Sequence, residues 1–283
     1  DISIKLLTLQ QAYWSSRPSV ISSSVGAELR LFQPNQSFTL GAPRRQPGRR
    51  ANEVERLVRL ERPFYLGSTE ISNTQFRRWK DEHSSGAVRG MTLDMKNQPA
   101  VKLAWEEAAL FCNWLSQEEG LPSFYQIQDG GVTSFDWQSH GYRLPTEAEW
   151  AWAAKIDSEE KTVVFPWKNG LYPPTEAVGN YADRSALSFL PFTIANYNDN
   201  YAVSANIGSF TPNNKSLYNM SGNVAEWVND YYEVRLHRGD PIVDPTGAES
   251  GNRHVIRGAS WALGSRTELR LSFREAGSGG RVD

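Results

Sequence analysis

Hydrophobic and polar positions alternate in two stretches near the start of the chain, at residues 28–32 and 38–40. Alternation with a period of two indicates strands with one buried face, and the turn-forming residues 34–37 between them predict that the two strands pair as a hairpin. Apolar runs at residues 58–60 and 64–66 predict two further strands.

Capping residues and helical spacing predict three helices. Ser72 and Gln75 have the spacing of a capping box, as do Thr146 and Glu149, and in each pair the first side chain caps the helix while the second reaches back. Between them, apolar residues over 105–116 recur at helical spacing. The apolar segment 4–14 predicts a short helix or an ordered arm, and the Ser-rich residues 15–24 are typical of a linker.

Beyond Lys155 no long helical period appears, and the chain continues as short aromatic-rich pieces broken by Gly, Pro and Asn. A turn-rich half of this kind needs something besides helix propensity to hold it. Bound metal ions are one candidate.

The composition is that of a soluble globular protein and excludes general disorder, with 39% hydrophobic and 22% charged residues in 283. Thirty Lys and Arg against 32 Asp and Glu give a net charge of −2, so no global field draws the chain to nucleic acid. Without a run of 18 apolar residues, no transmembrane helix is predicted.

Residues 43–50 carry four arginines. This cluster is consistent with a contact to phosphate or an acidic partner, or with a solvated loop. The near-neutral net charge favours the loop.

The only cysteine, Cys112, excludes an internal disulfide and a metal site built on a cysteine pair. It falls on the apolar face of the second predicted helix, where burial is expected to raise its pKa and favour a structural role. Single, scattered histidines are typical of surface or hydrogen-bonded core residues rather than of a metal site; the four are His83, His140, His237 and His254.

A series of motifs, in order along the chain, resembles the formylglycine-generating enzyme / sulfatase-modifying factor family. Residues 142–150 (YRLPTEAEW) and 217–228 (LYNMSGNVAEWV) are the most specific. The others lie at residues 37–41, 70–76, 99–101, 105–116, 165–167, 179–180 and 257–261. The resemblance implies one α+β domain over residues 28–283, an elaborated C-type-lectin-like fold poor in regular secondary structure, preceded by an arm or linker at 1–27.

The segment 219–226 concentrates oxygen donors of the kind that Ca²⁺ prefers, with two polar side chains at its ends and turn carbonyls between them. The family holds a calcium ion with this motif. The resemblance implies four ligands here: Asn219, Gly222, Val224 and Glu226.

A second calcium site is implied by the resemblance. It would use the side chains of Asn180 and Asp199 and the carbonyls of Tyr181 and Tyr201. The alternative for both segments is a set of Asx turns satisfied by backbone amides. With the resemblance, one or two calcium ions are expected.

The family's catalytic copper is held by two cysteines, because copper(I) requires soft thiolate ligands. In this chain those positions fall on Leu263 and near Glu268. Formylglycine generation is therefore rejected, and neither copper nor iron is expected. Ser260 and Glu268 remain as weak catalytic candidates.

What remains of the family's site predicts a ligand pocket whose arginines and indole would bind a carboxylate, a phosphate or a peptide. Its predicted residues are Arg257, Ser260, Trp261, Arg270 and Arg274. Arg257 and Arg274 are equally consistent with structural arginines paired with buried acids.

Two functions follow from the resemblance. The first is a non-catalytic, calcium-stabilised binding or regulatory protein of the cell envelope. It would resemble the periplasmic accessory protein that promotes the threonine-phosphorylation pathway of type VI secretion, with a protein or peptide partner such as a kinase sensor domain. The second is a periplasmic enzyme of changed chemistry, similar to the family's siderophore-maturation branch, with Glu268 as its titratable group.

The two ends of the sequence carry further expectations. The chain begins at Asp1 without a methionine, which suggests that a leader has been removed and that the protein is periplasmic or exported. The Gly-rich residues 276–280 predict a mobile end, in place of the last strand usual in the family.

Overall fold

The computed structural model describes residues 13–157, 159, 161–167 and 170–278. The helices whose bounds lie wholly within these residues are α1 (Asn73–Phe76), α2 (Trp105–Glu118) and α3 (Glu147–Lys155), with a single 3-10 turn at Arg184–Ala186. All three predicted helices are confirmed. Of the predicted N-terminal segment 4–14, the described residues include Tyr13 and Trp14, and both are helical.

Thirteen short strands in the described residues form three three-stranded sheets and two hairpins. The first sheet has the order β1-β2-β5 and the second β11-β4-β3, and β10-β12-β13 make the third. Their bounds are β1 Val20–Ser22, β2 Glu28–Phe32, β3 Gln36–Leu40, β4 Arg56–Leu60, β5 Phe64–Gly67, β10 Glu226–Tyr231, β11 Ile242–Val243, β12 Arg253–Arg257 and β13 Arg274–Ser278. The hairpins are β6 Ala87–Val88 with β7 Met91–Thr92, and β8 Tyr125–Gln128 with β9 Gly131–Phe135.

The predicted hairpin of residues 28–40 is wrong. Strand β2 pairs with β5, placing Phe32 opposite Phe64, while β3 pairs with β4. The β3–β4 pair is thus nested inside the β2–β5 pair, in a different sheet. The alternation identified both strands correctly, but period alone does not specify which strand is the partner.

Helix α3 lies at the centre of the main hydrophobic cluster, against β3, β4, β10 and β12. Its capping box is complete, because Thr146 Oγ1 accepts from the Glu149 amide at 3.1 Å and Glu149 Oε2 accepts from the Thr146 amide at 2.8 Å. All nine of its residues are buried. A helix buried on every side fixes the surrounding sheets and loops relative to one another.

The Gly-rich end is ordered as far as the structure describes it, which corrects the expectation for residues 276–278. They belong to β13, which pairs with β12 along its whole length. Position 277 requires glycine, because a Cβ there would lie 2.3 Å from the Trp227 ring and clash with it. The rest of the predicted mobile segment, residues 279–280, lies outside the described residues.

Within the described ranges no helix combines the length and apolar character needed to cross a bilayer. Regular secondary structure is sparse after α3, as the sequence predicted. The loops of this half carry the residues of the candidate site.

Candidate functional site

The loop from Asn219 to Glu226 is tied into the core by its backbone. The Gly222 amide donates to Ala259 O at 3.0 Å, and Trp261 N donates to Asn223 O at 2.8 Å. Gly222 has φ +95°, and a Cβ there would lie 2.8 Å from the carbonyl oxygen of Asn180. Glycine is therefore required where the two predicted calcium segments meet.

Glu70 joins this loop, although it was not among the site residues predicted from the sequence. Its carboxylate accepts from Asn219 Nδ2 at 2.9 Å and from Asn223 Nδ2 at 2.8 Å. Asn219 thus presents its nitrogen to Glu70, rather than the oxygen predicted to bind calcium. Glu70 was visible only as the first residue of the motif at 70–76; nothing local marked it as part of this site.

Glu226 lies close enough to Glu70 for their charges to interact. Its Oε2 accepts from Trp150 Nε1 at 2.6 Å. Burial, followed by the neighbouring charge of Glu70, raises the pKa of Glu226 to about 8, and burial also raises the pKa of Glu70. Two such carboxylates are ionised together most easily when a cation lies between them, and oxygen donors of this type suit calcium.

The second predicted site has an unpartnered oxygen. Asn180 is fully buried, and its Nδ2 donates to Val203 O at 2.9 Å and to Asn223 Oδ1 at 3.1 Å. Its Oδ1 finds no hydrogen-bond donor among the described residues. A buried amide oxygen left in this state is suited to a ligand or ion, so the donor set fits calcium.

Asp199 completes this cluster. Its two oxygens accept from the Tyr181 and Tyr201 amides, each at 2.9 Å. The bond to Tyr201 is an Asx turn, as the alternative interpretation expected. Burial raises the pKa of Asp199 to about 7, and Asp183 Oδ2 accepts from its backbone amide at 2.7 Å.

Among the residues that the structure describes, no three His, Cys, Asp or Glu side chains come together as metal ligands. Both candidate sites therefore depend on amide or carbonyl oxygens in addition to carboxylates. That donor chemistry is typical of calcium rather than of transition metals.

The predicted pocket arginines lie in the core. Arg270 makes a bidentate ion pair with Glu53 at 2.6 Å, and both side chains are fully buried. Arg274 pairs with Glu147 at 2.7 and 2.8 Å. Arg257 donates to three consecutive carbonyls, at residues 271–273. For Arg257 and Arg274 these contacts fit the alternative interpretation, structural arginines paired with buried acids. For Arg270 they correct the expected pocket position, because its partner Glu53 is buried with it.

Ser260 and Trp261 are half-buried and remain at the surface of this region. Ser260 Oγ accepts from the Ala262 amide at 3.4 Å. The Trp261 ring lies 6.2 Å from the ring of Phe189. Of the five predicted pocket residues, these two are the ones that the structure leaves accessible.

Leu263 and Glu268, the residues that the resemblance matches to the copper-ligand positions, have contacts of their own. Leu263 packs against the cluster around Phe165 and Trp167. Glu268 Oε2 accepts from the Ser265 amide at 3.0 Å, while Ser265 Oγ accepts from the Glu268 amide at 3.4 Å. This reciprocal pair stabilises a turn in the way a capping box does.

The remaining titratable candidates are dispersed. Burial raises the pKa of the Cys112 thiol to about 12. His254 stacks on Trp105 with ring centroids 3.6 Å apart, and His83 is buried against Ser85. His237 contacts the carbonyl of Asp240.

The Arg-rich loop is partly tethered. Arg49 Nε donates to Ala42 O at 2.9 Å, and Arg50 pairs with Glu275 at 3.0 Å. Arg44 and Arg45 are exposed.

Comparison with curated proteins relates the chain to formylglycine-generating enzymes. It is 27% identical to that of Bos taurus over 250 residues, covering 81% of this chain and 64% of the bovine protein. The chain spans 37–64% of the length of four formylglycine-generating enzymes that it matches. It is also 30% identical over 145 residues to the serine/threonine-protein kinase pkn1 of Chlamydia pneumoniae, covering 50% of this chain and 20% of the kinase.

Among solved structures, Treponema denticola variable protein 1 has the same fold. Its TM-score is 0.73 at 23% identity, with 94% of this chain and 96% of that chain covered. The profile of the sulfatase-modifying factor enzyme 1-like domain matches residues 31–282. The single α+β domain with few helices agrees with that match, and the chain belongs to the family of sulfatase-modifying factor enzyme 1-like domains.

Proposed function

We propose that this protein is a non-catalytic, calcium-stabilised binding protein that regulates a partner in the cell envelope. The observation that carries the proposal is the unpartnered, fully buried Oδ1 of Asn180, next along the chain to Tyr181, whose amide donates to Asp199. In the same domain, Leu263 and the turn around Glu268, where the resemblance implies the family's copper thiolates, serve packing and turn formation.

Calcium would supply positive charge to buried oxygens that have too few donors. Asn180 and Asp199 would hold one ion, with the carbonyls of Tyr181 and Tyr201. Glu226 would hold the other, together with the 219–224 loop and the adjacent Glu70. The role of these residues is to fix loops that contain little regular structure, so that an adjoining surface keeps one shape.

For the partner, we favour a protein of the periplasm or cell surface, with the sensor domain of a serine/threonine kinase in the type VI secretion pathway as the specific candidate. The similarity with a fifth of a chain named as a serine/threonine kinase supports this choice. An exported location supports calcium loading, since sites of moderate affinity fill where calcium is millimolar.

The experiment is metal analysis of the purified protein by mass spectrometry after dialysis in millimolar calcium. We expect two calcium ions per chain, and one ion in each of the variants Asp199→Asn and Glu226→Gln. Glu55→Gln, which changes an exposed carboxylate outside both clusters, is the matched control and retains two.

Stoichiometric copper or iron in the native protein would overturn the proposal and make oxidase assays the next step. Calcium counts unchanged by both variants would overturn the assigned sites. With two calcium ions and no transition metal, the partner is sought by co-purification from envelope extracts, with the purified kinase sensor domain as a direct binding test.

A further inference from the structure

Residues 187–192 (LSFLPF) form an apolar segment at the surface. Leu187 and Phe192 are 65% and 51% exposed, and Phe189 and Leu190 are half-buried. Contiguous exposed apolar surface on a globular protein marks an interaction site more often than an isolated exposed residue does.

An open groove of about 700 Å³ separates this segment from the β6–β7 hairpin. Four of its six lining residues are apolar by type, although its exposed surface is more polar than apolar: Arg89, Met91, Ser188, Phe189, Leu190 and Pro191. The volume is in the range that holds a few amino-acid side chains. Phe189 also contacts Trp261, which joins the groove to the accessible part of the predicted pocket.

Both walls of the groove are held by hydrogen bonds. On one side, Asp183 Oδ1 accepts from the Ser185 amide at 2.8 Å, and Leu190 N donates to Ala186 O at 3.0 Å. On the other side, Gln98 Nε2 donates to Thr92 O at 3.1 Å and to Ser204 O at 2.6 Å. A preformed groove loses less conformational entropy on binding than a flexible loop would.

Arg89 supplies the charge. It lies at the hairpin tip with φ +49°, followed by Gly90 at φ +83°, and it is exposed. No carboxylate within the described ranges forms an ion pair with it. A guanidinium at the edge of an apolar groove selects a ligand that carries a carboxylate next to an apolar group.

We propose that this groove binds an extended peptide segment of the partner protein, with an aromatic or aliphatic side chain against Phe189 and Leu190 and an Asp or Glu side chain at Arg89. The inference rests on the proposed function and deepens it by naming the surface and the class of ligand. A lipid surface is disfavoured, because the lining residues lie in a concavity and a single cation attracts anionic lipid weakly.

The test is selection of a random heptapeptide phage library on immobilised wild-type protein and on Arg89→Glu. We expect the wild type to enrich peptides with Asp or Glu beside Phe, Leu or Trp, and the variant to enrich Lys or Arg instead. Leu236→Ser, which alters an exposed apolar side chain outside both the 187–192 segment and the lining, is the control and should enrich the wild-type motif. Circular dichroism of each variant checks that it is folded.

The binding affinities of synthetic peptides measure how strongly the groove prefers an acidic residue. We expect acetyl-GLFDG-amide to bind the wild type about five- to tenfold more tightly than acetyl-GLFKG-amide, with the order reversed on Arg89→Glu. Equal affinities, an order unchanged by the variant, or sedimentation with phosphatidylserine vesicles in place of peptide selection would overturn the inference.

The two proposals fail separately. If the protein contains two calcium ions and its Arg89→Glu variant captures the partner as well as the wild type does, the proposed function stands and the peptide groove is overturned. If the protein holds copper but still selects peptides with the acidic-apolar motif, the peptide groove stands and the proposed function is overturned.

Discussion

Asn180 and Asn223 are joined twice, although 43 residues separate them. The Asn223 amide donates to Asn180 O at 2.8 Å, and Asn180 Nδ2 donates to Asn223 Oδ1 at 3.1 Å. Asn223 also donates to Glu70 at 2.8 Å. The two candidate calcium sites therefore share one rigid junction.

This junction predicts that Asn223→Ala affects both sites. The variant leaves the Ala205 amide and one proton of Asn180 Nδ2 without acceptors, so the free energy of unfolding in chelator should fall by about 2–3 kcal/mol. Urea denaturation measures that change. Calorimetric titration with calcium should show weaker binding at both sites.

Asn198→Ala is the control for the junction, because among the described residues the exposed side-chain amide of Asn198 makes a hydrogen bond only to Asn200. Its stability should change by less than about 0.5 kcal/mol. Calcium affinity reduced at one site alone in Asn223→Ala would show that the sites are energetically independent.

Glu147 predicts a second, larger effect on stability. It pairs with Arg274 at 2.7 Å and lies 3.7 and 3.6 Å from Arg257 and Arg56, and its side chain is 3% exposed. Glu147→Gln leaves the buried Arg257 and Arg274 without their carboxylate and leaves Arg56 with Glu233 alone, so we expect a loss of about 3–5 kcal/mol in urea denaturation.

The exposed pair Arg50–Glu275, with an N–O distance of 3.0 Å, provides the comparison. Glu275→Gln should cost less than about 1 kcal/mol, because solvent screens the interaction. Equal losses in the two variants would mean that burial does not determine the cost of breaking these ion pairs.

Local signals predicted the helices well. The capping boxes at Ser72 and Thr146 are formed as their spacing required, because a cap depends on residues three positions apart. Strand pairing was not predictable in the same way: β2 finds its partner 32 or more residues away, and no local property of either strand specifies the other.

The candidate site shows the same limit. The segments at 180–181, 199–201 and 219–226 were named from the family motif, and the structure brings Asn180 onto Asn223. Glu70 was missed because its place beside Asn219 arises from a fold contact across 149 residues. Arg270 was misplaced in the pocket because the sequence does not show that Glu53 lies opposite it in the core.

Cys112 predicts chemical inertness in the folded protein. Raising its pKa from 9.0 to about 12 lowers the thiolate fraction at pH 8 roughly a thousandfold. Iodoacetamide at pH 8 should therefore leave Cys112 unmodified in buffer and alkylate it in urea, as intact mass spectrometry would show. Rapid alkylation of the folded protein would contradict the structural role.

His254 predicts a specific loss of stability in acid. Burial lowers its pKa from 6.5 to about 4, so between those pH values the unfolded chain takes up a proton that the folded protein does not. The stability that the neutral, buried His254 contributes is complete above about pH 6.5 and is lost as the pH falls towards 4, about 3 kcal/mol in all.

Asp230, whose pKa is raised to about 7, acts with the opposite sign, but it is present in both the wild type and the variant that are compared. His254→Phe keeps a ring to stack on Trp105 and does not titrate, so urea denaturation from pH 7 to 4 should show the wild type losing about 3 kcal/mol more than the variant. Parallel pH profiles would mean that folding leaves the pKa of His254 unshifted.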